Sequence, residues 1–456
     1  MSAPAFRLLD SPPAPPTRTT APTAVRYSCG TGTNPPIWLD LSRLLWRVFR
    51  GTLTGVDRVE LAYAENLLAL AGDRLRFLAF DYRGGFGLLP HQSTAALIRA
   101  VGPAWEAGTL PRLAPRALAL FAGSLANWQR MPSLPAGAHA PFYLNVSHHP
   151  LAHTRSIGGL LRRTGARLVP LVHDLIPLDW PEYVAASETA RHHRRMRTIA
   201  HHASGVIANS AATATALRPL LPPGLPLLAA PLGVAPRRAA ALPVAIGDAP
   251  FFLCLGTIEP RKNHLMLLHL WRRLADRPGP VPKLVIVGNR GWDNEQVLDL
   301  LDRCARLRPH LLELGRVSDG VVAGLMDHAR ALLMPSFAEG FGLPVAEALA
   351  RGTPVLCSDI AAHRELAGPV ADYLDPLDLP AWQQAVEDYA LPMSARRGAQ
   401  IHRLAGWEAP NWPAHIDAVL GFLDDMARGI VPAGDFAPAD PALFWKPPPG
   451  MGGRVV

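Results

Sequence analysis

Apolar residues along this chain recur in two alternating rhythms. Short β-rich runs stand at LRFLAF (75–80), FYLNV (142–146), RLVPLV (167–172), GVIANS (205–210) and LPLLAA (225–230). They return at FFLCLG (251–256), KLVIVG (283–288), ALLMP (331–335) and PVLCS (354–358). Longer segments with helical spacing lie between most of them. In Asn263–Ala275 the side chains of Leu267, Leu270, Trp271 and Leu274 share one face, and Val56–Ala71 is a second such segment. Strand–helix alternation of this kind predicts an α/β fold with mostly parallel sheets covered by helices on both faces. The run PLGVAPRRAAALPVAIGDAP (231–250) breaks the rhythm with Pro and Ala and separates two alternating blocks, which marks an interdomain linker. Two doubly wound domains facing one another would form a cleft lined by the carboxyl ends of both sheets, where α/β proteins bind ligands.

Composition narrows the class. At 456 residues, with 49% hydrophobic and 18% charged, the chain suits a folded enzyme of two or three domains. No uninterrupted apolar run reaches the roughly 18–20 residues a membrane span needs. The richest candidate, LRPLLPPGLPLLAAPLGVAP, is broken by prolines, and the N-terminus lacks a signal-peptide apolar core, so a cytoplasmic location is expected. The expected organisation is a Pro-rich disordered leader over 1–35 and a first Rossmann-like domain over 36–235. A second such domain follows over 250–385, then a helical segment over 386–430 and a flexible Pro-rich tail over 431–456. Trp382, Trp407 and Trp412 read as packing residues of the late helices. Among the cysteines, Cys254 and Cys357 sit inside apolar runs as small hydrophobes, and no CxxC pair exists, which argues against a disulfide framework or zinc site. The net charge of +8 suits a phosphate-bearing ligand, an anionic membrane or nucleic acid without choosing among them.

Two segments of the second block bear chemistry. AEGFGLPVAE (338–347) follows a strand and leads into a helix. Gly340 and Gly342 permit close backbone approach, and Pro344 suits the first helical position. Free backbone N–H groups at a helix start form a ready anion site. Taken alone, Glu339 is a solvated loop charge and Glu347 an ordinary dipole-complementing carboxylate. LGTIEPRKNH (255–264) also joins a strand to a helix, with Asn263 as expected N-cap and Arg261 and Lys262 just before it. Two cations beside a helix start make a phosphate clamp, Arg by its fork and Lys as a point charge.

GTIEPRKN (256–263), KLVIVGNRGW (283–292), LGRVSD (314–319), PSFAEGFGLPVAEALARGTPVLCSD (335–359) and RELAG (364–368) are collinear. Together they resemble the nucleotide-sugar domain of retaining GT-B glycosyltransferases with the E-x7-E motif, the group 1 glycosyl transferases. Within the first block VHDLIPLDWPEY (172–183) resembles that family's His-containing loop, and GVIANSAAT (205–213) a later strand and helix start. TGVDRVE (54–60) is similar to its N-terminal glycine loop, without the usual double glycine. GTIEPRKN, GNRGW and TGVDRVE also resemble the branch of bacterial polysaccharide and lipopolysaccharide mannosyltransferases.

Roles follow from chemistry and resemblance together. Transfer from a nucleoside diphosphate leaves charge on the departing phosphate, and fixed cations there stabilise the transition state. Arg261 and Lys262 are assigned that work; some relatives carry a further Arg where this chain has Thr257. The resemblance implies that Glu347 binds the ribose and that Glu339 holds sugar hydroxyls together with N–H groups of Gly340, Phe341 and Gly342, with Leu343 also among the nucleotide-sugar-binding residues. It places Gly315, Arg316 and Val317 at the base, Gly55 at the phosphates, and His173 beside the sugar. Asp174 is read as orienting His173 or approaching the acceptor hydroxyl. The implied reaction retains configuration, with the leaving phosphate taking the acceptor proton. Donor nucleotide-sugar and a glycan or polyprenyl-linked glycan acceptor are the expected partners, with mannose from GDP-mannose as the first choice of donor. No cofactor or bound metal is expected.

The remaining features have plainer readings. Adjacent histidines at 148–149, 192–193 and 201–202 do not share a helix face and lack HExxH spacing, so metal is not expected there. RHHRRMR (191–197), with Arg43, Arg47 and Arg50, is a solvated helix face or a peripheral contact with anionic lipid. No motif-bearing basic stripe points to nucleic acid. Two rival functions stand: another GT-B enzyme, such as an epimerase or phosphorylase, and a silent nucleotide-sugar-binding protein.

Overall fold

The structure, a computed structural model, describes residues 34–50, 53–81, 85–127, 139–235, 237–243, 246–247 and 249–430. The expected tail, with Phe444 and Trp445, and all but the last two residues of the expected leader lie outside the described residues.

Two sheets form. The first comprises β1 (Ile37–Asp40), β2 (Leu75–Asp81), β3 (Gly85–Leu89), β4 (Phe142–Asn145), β5 (Arg167–Val172), β6 (Val206–Ala208) and β7 (Leu227–Ala229), in the order β3-β2-β1-β4-β5-β6-β7. All its pairings are parallel except β2 with β3. The second comprises β8 (Phe251–Leu255), β9 (Lys283–Val287), β10 (Leu311–Glu313), β11 (Leu332–Met334), β12 (Val355–Ser358) and β13 (Asp372–Leu374). Its order is β10-β9-β8-β11-β12-β13, parallel throughout. Strand order reverses between β1 and β4 and between β8 and β11, the points where open α/β sheets leave a crevice at their carboxyl ends.

All nine apolar runs are strands, and four strands lack such a signal. β3 is an edge strand weakened by two glycines, while β10 and β13 are three-residue edges with little burial to advertise. β1 is the instructive one: IWLD is central and wholly buried, yet four residues after a Pro-rich stretch present too short a pattern to read.

One apolar cluster runs through both sheets and the final helix, joining Leu39, Leu253, Val345 and Ile416. A second covers the outer face of the second sheet around Phe252, Trp271 and Trp382, and a third that of the first around Tyr143, Leu168 and Ile199. Trp382, Trp407 and Trp412 are all buried. The helix Trp412–Arg428 lies against the helix Gly55–Leu70. There His415 donates from Nδ1 to the Pro231 carbonyl (2.9 Å) and accepts from Tyr63 Oη at Nε2 (2.6 Å). Arg74 pairs with Asp424 at 2.7 Å on the same face. Gly233 allows the linker through: a Cβ there would lie 2.2 Å from the Trp412 nitrogen.

Candidate functional site

The loops that carry Arg261, Lys262 and Glu339 leave the carboxyl ends of β8 and β11. After β8 the chain turns through Gly256 (φ +145°), makes one tight turn over Pro260–Lys262, and passes Asn263 into the helix His264–Ala275. Asn263 does not cap that helix with its side chain. It takes the left-handed conformation (φ 56°), and its amide donates to the Pro376 carbonyl at 2.8 Å. Asn tolerates φ > 0 better than most residues, so it serves as a corner between turn and helix. After β11, Ser336–Gly342 leads to the helix Leu343–Ala350, where Pro344 is the second helical residue rather than the first and still needs no N–H partner.

The two loops are tied together. Phe337 N–H donates to the Arg261 carbonyl at 2.9 Å. Lys262 Nζ lies 2.5 Å from Glu339 Oε1, and Arg261 Nη1 lies 3.0 Å from Oε2. Arg261 also donates to the Ala338 carbonyl and to Glu259 Oε1, both at 2.5 Å. Two cations and two carboxylates thus sum to zero in a site where all four side chains are at least 86% buried. Burial alone would raise the Glu339 carboxyl, but Arg261 and Lys262 outweigh it and hold the group far below the usual carboxylate range. Burial disfavours the Arg261 charge, and Glu339 and Glu259 more than restore it. Glu339 therefore stays ionised, an acceptor-only group held between two cations.

Glu347 sits one turn into its helix within a second charge network. Arg58 Nη1 and Arg237 Nη2 each lie 3.3 Å from its Oε1. The same arginines reach Asp319, Arg237 at 3.1 Å and Arg58 in closer contact. Arg58 lies over the Trp105 ring at 4.7 Å, a cation–π contact. Glu347 and Asp319 border a cavity of 460 Å³ with Arg237, Met326 and Arg351, and an adjoining cavity of 270 Å³ with Arg58, Trp105 and Leu343.

From the first sheet, His173 follows β5. Its Nε2 is 2.7 Å from the Val146 carbonyl, which can only accept, so Nε2 carries the proton. Burial pushes the imidazole pKa down, partly offset by that carbonyl and by Asp174, so neutral His173 presents Nδ1 as an acceptor. Asp174 does not supply that orienting bond: its Oδ1 accepts from the Ile176 N–H at 3.1 Å. Behind His173, His148 and His192 complete a cluster of rings at 5.2 and 5.9 Å. His148 takes φ 60°, and burial drives its pKa well below the ordinary value. Among the described residues no group of three or more His, Cys, Asp or Glu is arranged to hold a metal ion.

The two halves touch at Gly340. A Cβ there would fall 2.0 Å from the His173 carbonyl oxygen, so only glycine fits. The Gly340 carbonyl accepts from Ser210 Oγ (2.8 Å) and Thr213 Oγ1 (3.1 Å). Glu365, from RELAG, accepts from the N–H groups of Ala211 and Ala212 at 2.6 and 2.8 Å.

Of the residues singled out in the sequence, Arg261, Lys262, Glu339, Gly340, His173 and Asp174 meet at this junction. Phe341 is buried beneath the loop, and Gly342 (φ +91°) and Leu343 start the helix bearing Glu347. Gly315 (φ +55°) accepts at its carbonyl from Gly288 N–H, with Arg316 exposed and Val317 half-buried on the way to the helix Asp319–His328. Gly55 opens its helix one turn before Arg58. Sequence reasoning overlooked Arg58, Asp319, Glu259, Glu365, Ser210 and Thr213, although each lies inside a quoted motif. Arg237, in the linker, had no signal at all.

Residues 243–371 match the family model described as glycosyl transferases group 1. Over 251 residues the chain is 32% identical to the serotype-specific mannosyltransferase WbdA of Escherichia coli, a match covering 50% of this chain and 30% of that protein. It is 33% identical over 163 residues to O-antigen chain mannosyltransferase B of Escherichia coli, covering 35% of this chain and 42% of that protein. The chain thus spans well under half the length of these relatives. Among solved structures, sucrose-phosphate synthase from Thermosynechococcus elongatus superposes with a TM-score of 0.56 at 17% identity, over 87% of this chain and 100% of that one. Anabaena HepE in complex with UDP and glucose gives a TM-score of 0.54 at 17% identity, over 87% and 98% of the two chains. Sheet order and the superpositions show a GT-B fold, and within it residues 243–371 are similar to the glycosyl transferases group 1.

Proposed function

We propose that the chain is a retaining glycosyltransferase that moves a sugar from a nucleotide-sugar donor to a glycan or lipid-linked glycan in polysaccharide or lipopolysaccharide biosynthesis. Mannose from GDP-mannose is the donor favoured by the mannosyltransferase relatives. The observation that supports it most is Glu339 clamped by Arg261 and Lys262 beside the glycine turn, with Glu347 one helical turn beyond. The two cations take the charge that grows on the leaving phosphate, and the ionised Glu339 accepts from hydroxyls of the transferred sugar. Glu347 accepts from the ribose, exchanging its contacts with Arg58 and Arg237 for donor hydroxyls. His173 Nδ1 accepts from a hydroxyl near the anomeric carbon. The bond from that carbon to the phosphate oxygen breaks, the bond to the acceptor oxygen forms on the same face, and the acceptor proton passes to the departing phosphate.

No helix among the described residues is long and apolar enough to cross a membrane. We assign a cytoplasmic site of action, with the basic helices Ser42–Arg50 and Ala186–His202 resting on anionic lipid. The test is incubation of purified protein with radiolabelled GDP-mannose, UDP-glucose and dTDP-glucose and oligosaccharide acceptors, reading product by chromatography and anomeric configuration by NMR. An α-linked product from an α-linked donor is expected. Donor conversion without acceptor would indicate an epimerase, and no turnover despite nucleotide binding would indicate a silent binder.

A further inference from the structure

Four aromatic rings gather on the seam between the two domains, next to the loop that carries Glu339. Trp180 and Tyr183 belong to the loop that follows His173 and Asp174; their ring centroids are 5.9 Å apart and nearly parallel at 21°. On its other side Tyr183 stacks on Phe337 of the second domain, at 5.4 Å and 9°. Trp292, the last residue of GNRGW, donates from Nε1 to the Tyr183 carbonyl at 3.2 Å. Its loop is anchored on the donor side, since Gly291 N–H donates to the Ile258 carbonyl at 2.9 Å. Packing explains Tyr183 and Phe337, both half-buried. It does not explain the outer rings: Trp180 is 40% and Trp292 43% exposed, although each is tied into the group on one side.

The exposed charges on the Trp180 loop are acidic, and the cation nearest Trp292, Arg290, is already paired with Asp302 at 2.6 Å and Glu313 at 2.8 Å. Asp179 and Glu182 are exposed on the same loop, and Asp174 is half-buried where that loop begins. The patch continues directly into the site already described: Phe337 is two residues before Glu339, and the Asp174 charge is felt by Arg261. An anionic headgroup or pyrophosphate would be repelled by these carboxylates. A neutral saccharide suits both components, because its C–H faces cover aromatic rings while its hydroxyls donate to carboxylates. An exposed aromatic surface continuous with a ligand cleft is a binding feature rather than scattered surface hydrophobicity.

The geometry points to Trp180 and Trp292 as a saccharide-binding rim that holds the sugar units of the acceptor beyond the one being extended, with Asp179 and Glu182 accepting from their hydroxyls. This rests on the glycosyltransferase reading above, and it assigns a neutral oligosaccharide, not a lipid phosphate, to this side of the cleft. Because each domain supplies one tryptophan, the acceptor would bridge the domains as it binds.

The experiment compares the wild-type protein with Trp180→Ala and Trp292→Ala, each checked for wild-type melting temperature and far-UV spectrum. In the wild type, kcat/KM should rise on going from a monosaccharide to a tetrasaccharide acceptor (α-mannotetraose, with maltotetraose as the alternative). That gain should shrink ~5-fold or more in either variant, through KM rather than kcat, with partial recovery in Trp180→Tyr. Independently of transfer, tetrasaccharide should change the tryptophan fluorescence of the wild type at concentrations that leave both variants unaffected. Tetrasaccharide binding without transfer from any donor would support the rim and overturn the glycosyltransferase reading. Transfer with no dependence on acceptor length, or a length gain that survives in both variants, would overturn the rim.

Discussion

The two walls of the cleft solve their tasks in different ways. On the second-domain wall the charged groups come from two loops and satisfy one another between those loops: Arg261 and Lys262 by Glu339, Arg261 again by Glu259. On the first-domain wall the groups come from the ends of two strands and from the helix Ala186–His202, and neutral, buried imidazoles predominate: His173, His148 and His192. On the proposed reading the second-domain wall receives a diphosphate, which calls for fixed cations and clustered N–H groups that a short glycine-rich stretch can supply. The first-domain wall would then receive neutral hydroxyls, which calls for dispersed acceptors that no single motif supplies. The walls meet where Gly340 abuts His173, so their relative placement depends on backbone contact as well as charge.

The sharpest way to break this arrangement is Gly340→Ala. The added carbon would collide with the His173 carbonyl, which cannot rotate away as a side chain end would. Sugar transfer should fall by about 100-fold or more, ~2.7 kcal/mol, with nucleotide binding retained in a thermal-shift assay. Glu339→Ala and Lys262→Ala should each remove at least ~90% of transfer, about 1.4 kcal/mol. Glu339→Ala also leaves two buried cations with one carboxylate fewer, a loss of up to ~3–5 kcal/mol in stability, and a nucleoside diphosphate should restore part of its melting temperature. Near-wild-type transfer in both of these variants would sink the donor-side assignment.

Smaller effects test the seam. Removing both hydroxyls that hold the Gly340 carbonyl, in Ser210→Ala with Thr213→Val, should lower kcat by roughly 3–10-fold, the range of one or two neutral hydrogen bonds. The donor KM should move less than kcat, and Ser210→Thr should recover most of the loss. Acid titration probes two buried imidazoles outside the first wall, His415 on the final helix and His264 at the start of the helix His264–Ala275. Burial lowers His415 to about 4 and His264 to about 3, against an ordinary value near 6.5. Such groups are neutral when folded, so their contribution is fully present above about pH 6.5. It is lost as pH falls towards the folded values, because the unfolded chain takes up protons first. Each should cost about 1–2 kcal/mol by pH 5, seen as a melting temperature that drops between pH 7 and pH 5. His415→Gln should flatten that slope.

How legible each part was follows from the same contrast. The donor loops could be read because glycines, cations and carboxylates stand close together in the chain between a strand and a helix. The nine strands with β-rich runs were visible for the same local reason, whereas buried β1 was too short to show a period. The second network around Glu347 was not readable: Arg58, Arg237 and Asp319 are brought together from a first-domain helix, the linker and a second-domain helix. Nor could sequence distinguish a helix-capping Asn263 from the left-handed corner it forms, since both uses suit Asn at a helix start. Asp174 likewise stood beside His173 in sequence, while the bond that orients the ring comes from Val146, 27 residues away in sequence.

By itself, the sequence determined the α/β class, the order of motifs on the donor loops and the side chains able to meet a diphosphate. Those properties depend on near neighbours: apolar period, glycine placement, and the charges flanking a turn. Only the tertiary structure decided the tautomer of His173, the pairing of Glu347 with two arginines, the need for glycine at 340 and the aromatic group on the seam between the domains. Each of these depends on atoms brought within a few ångströms from distant parts of the chain, where burial and contact geometry set protonation and pairing.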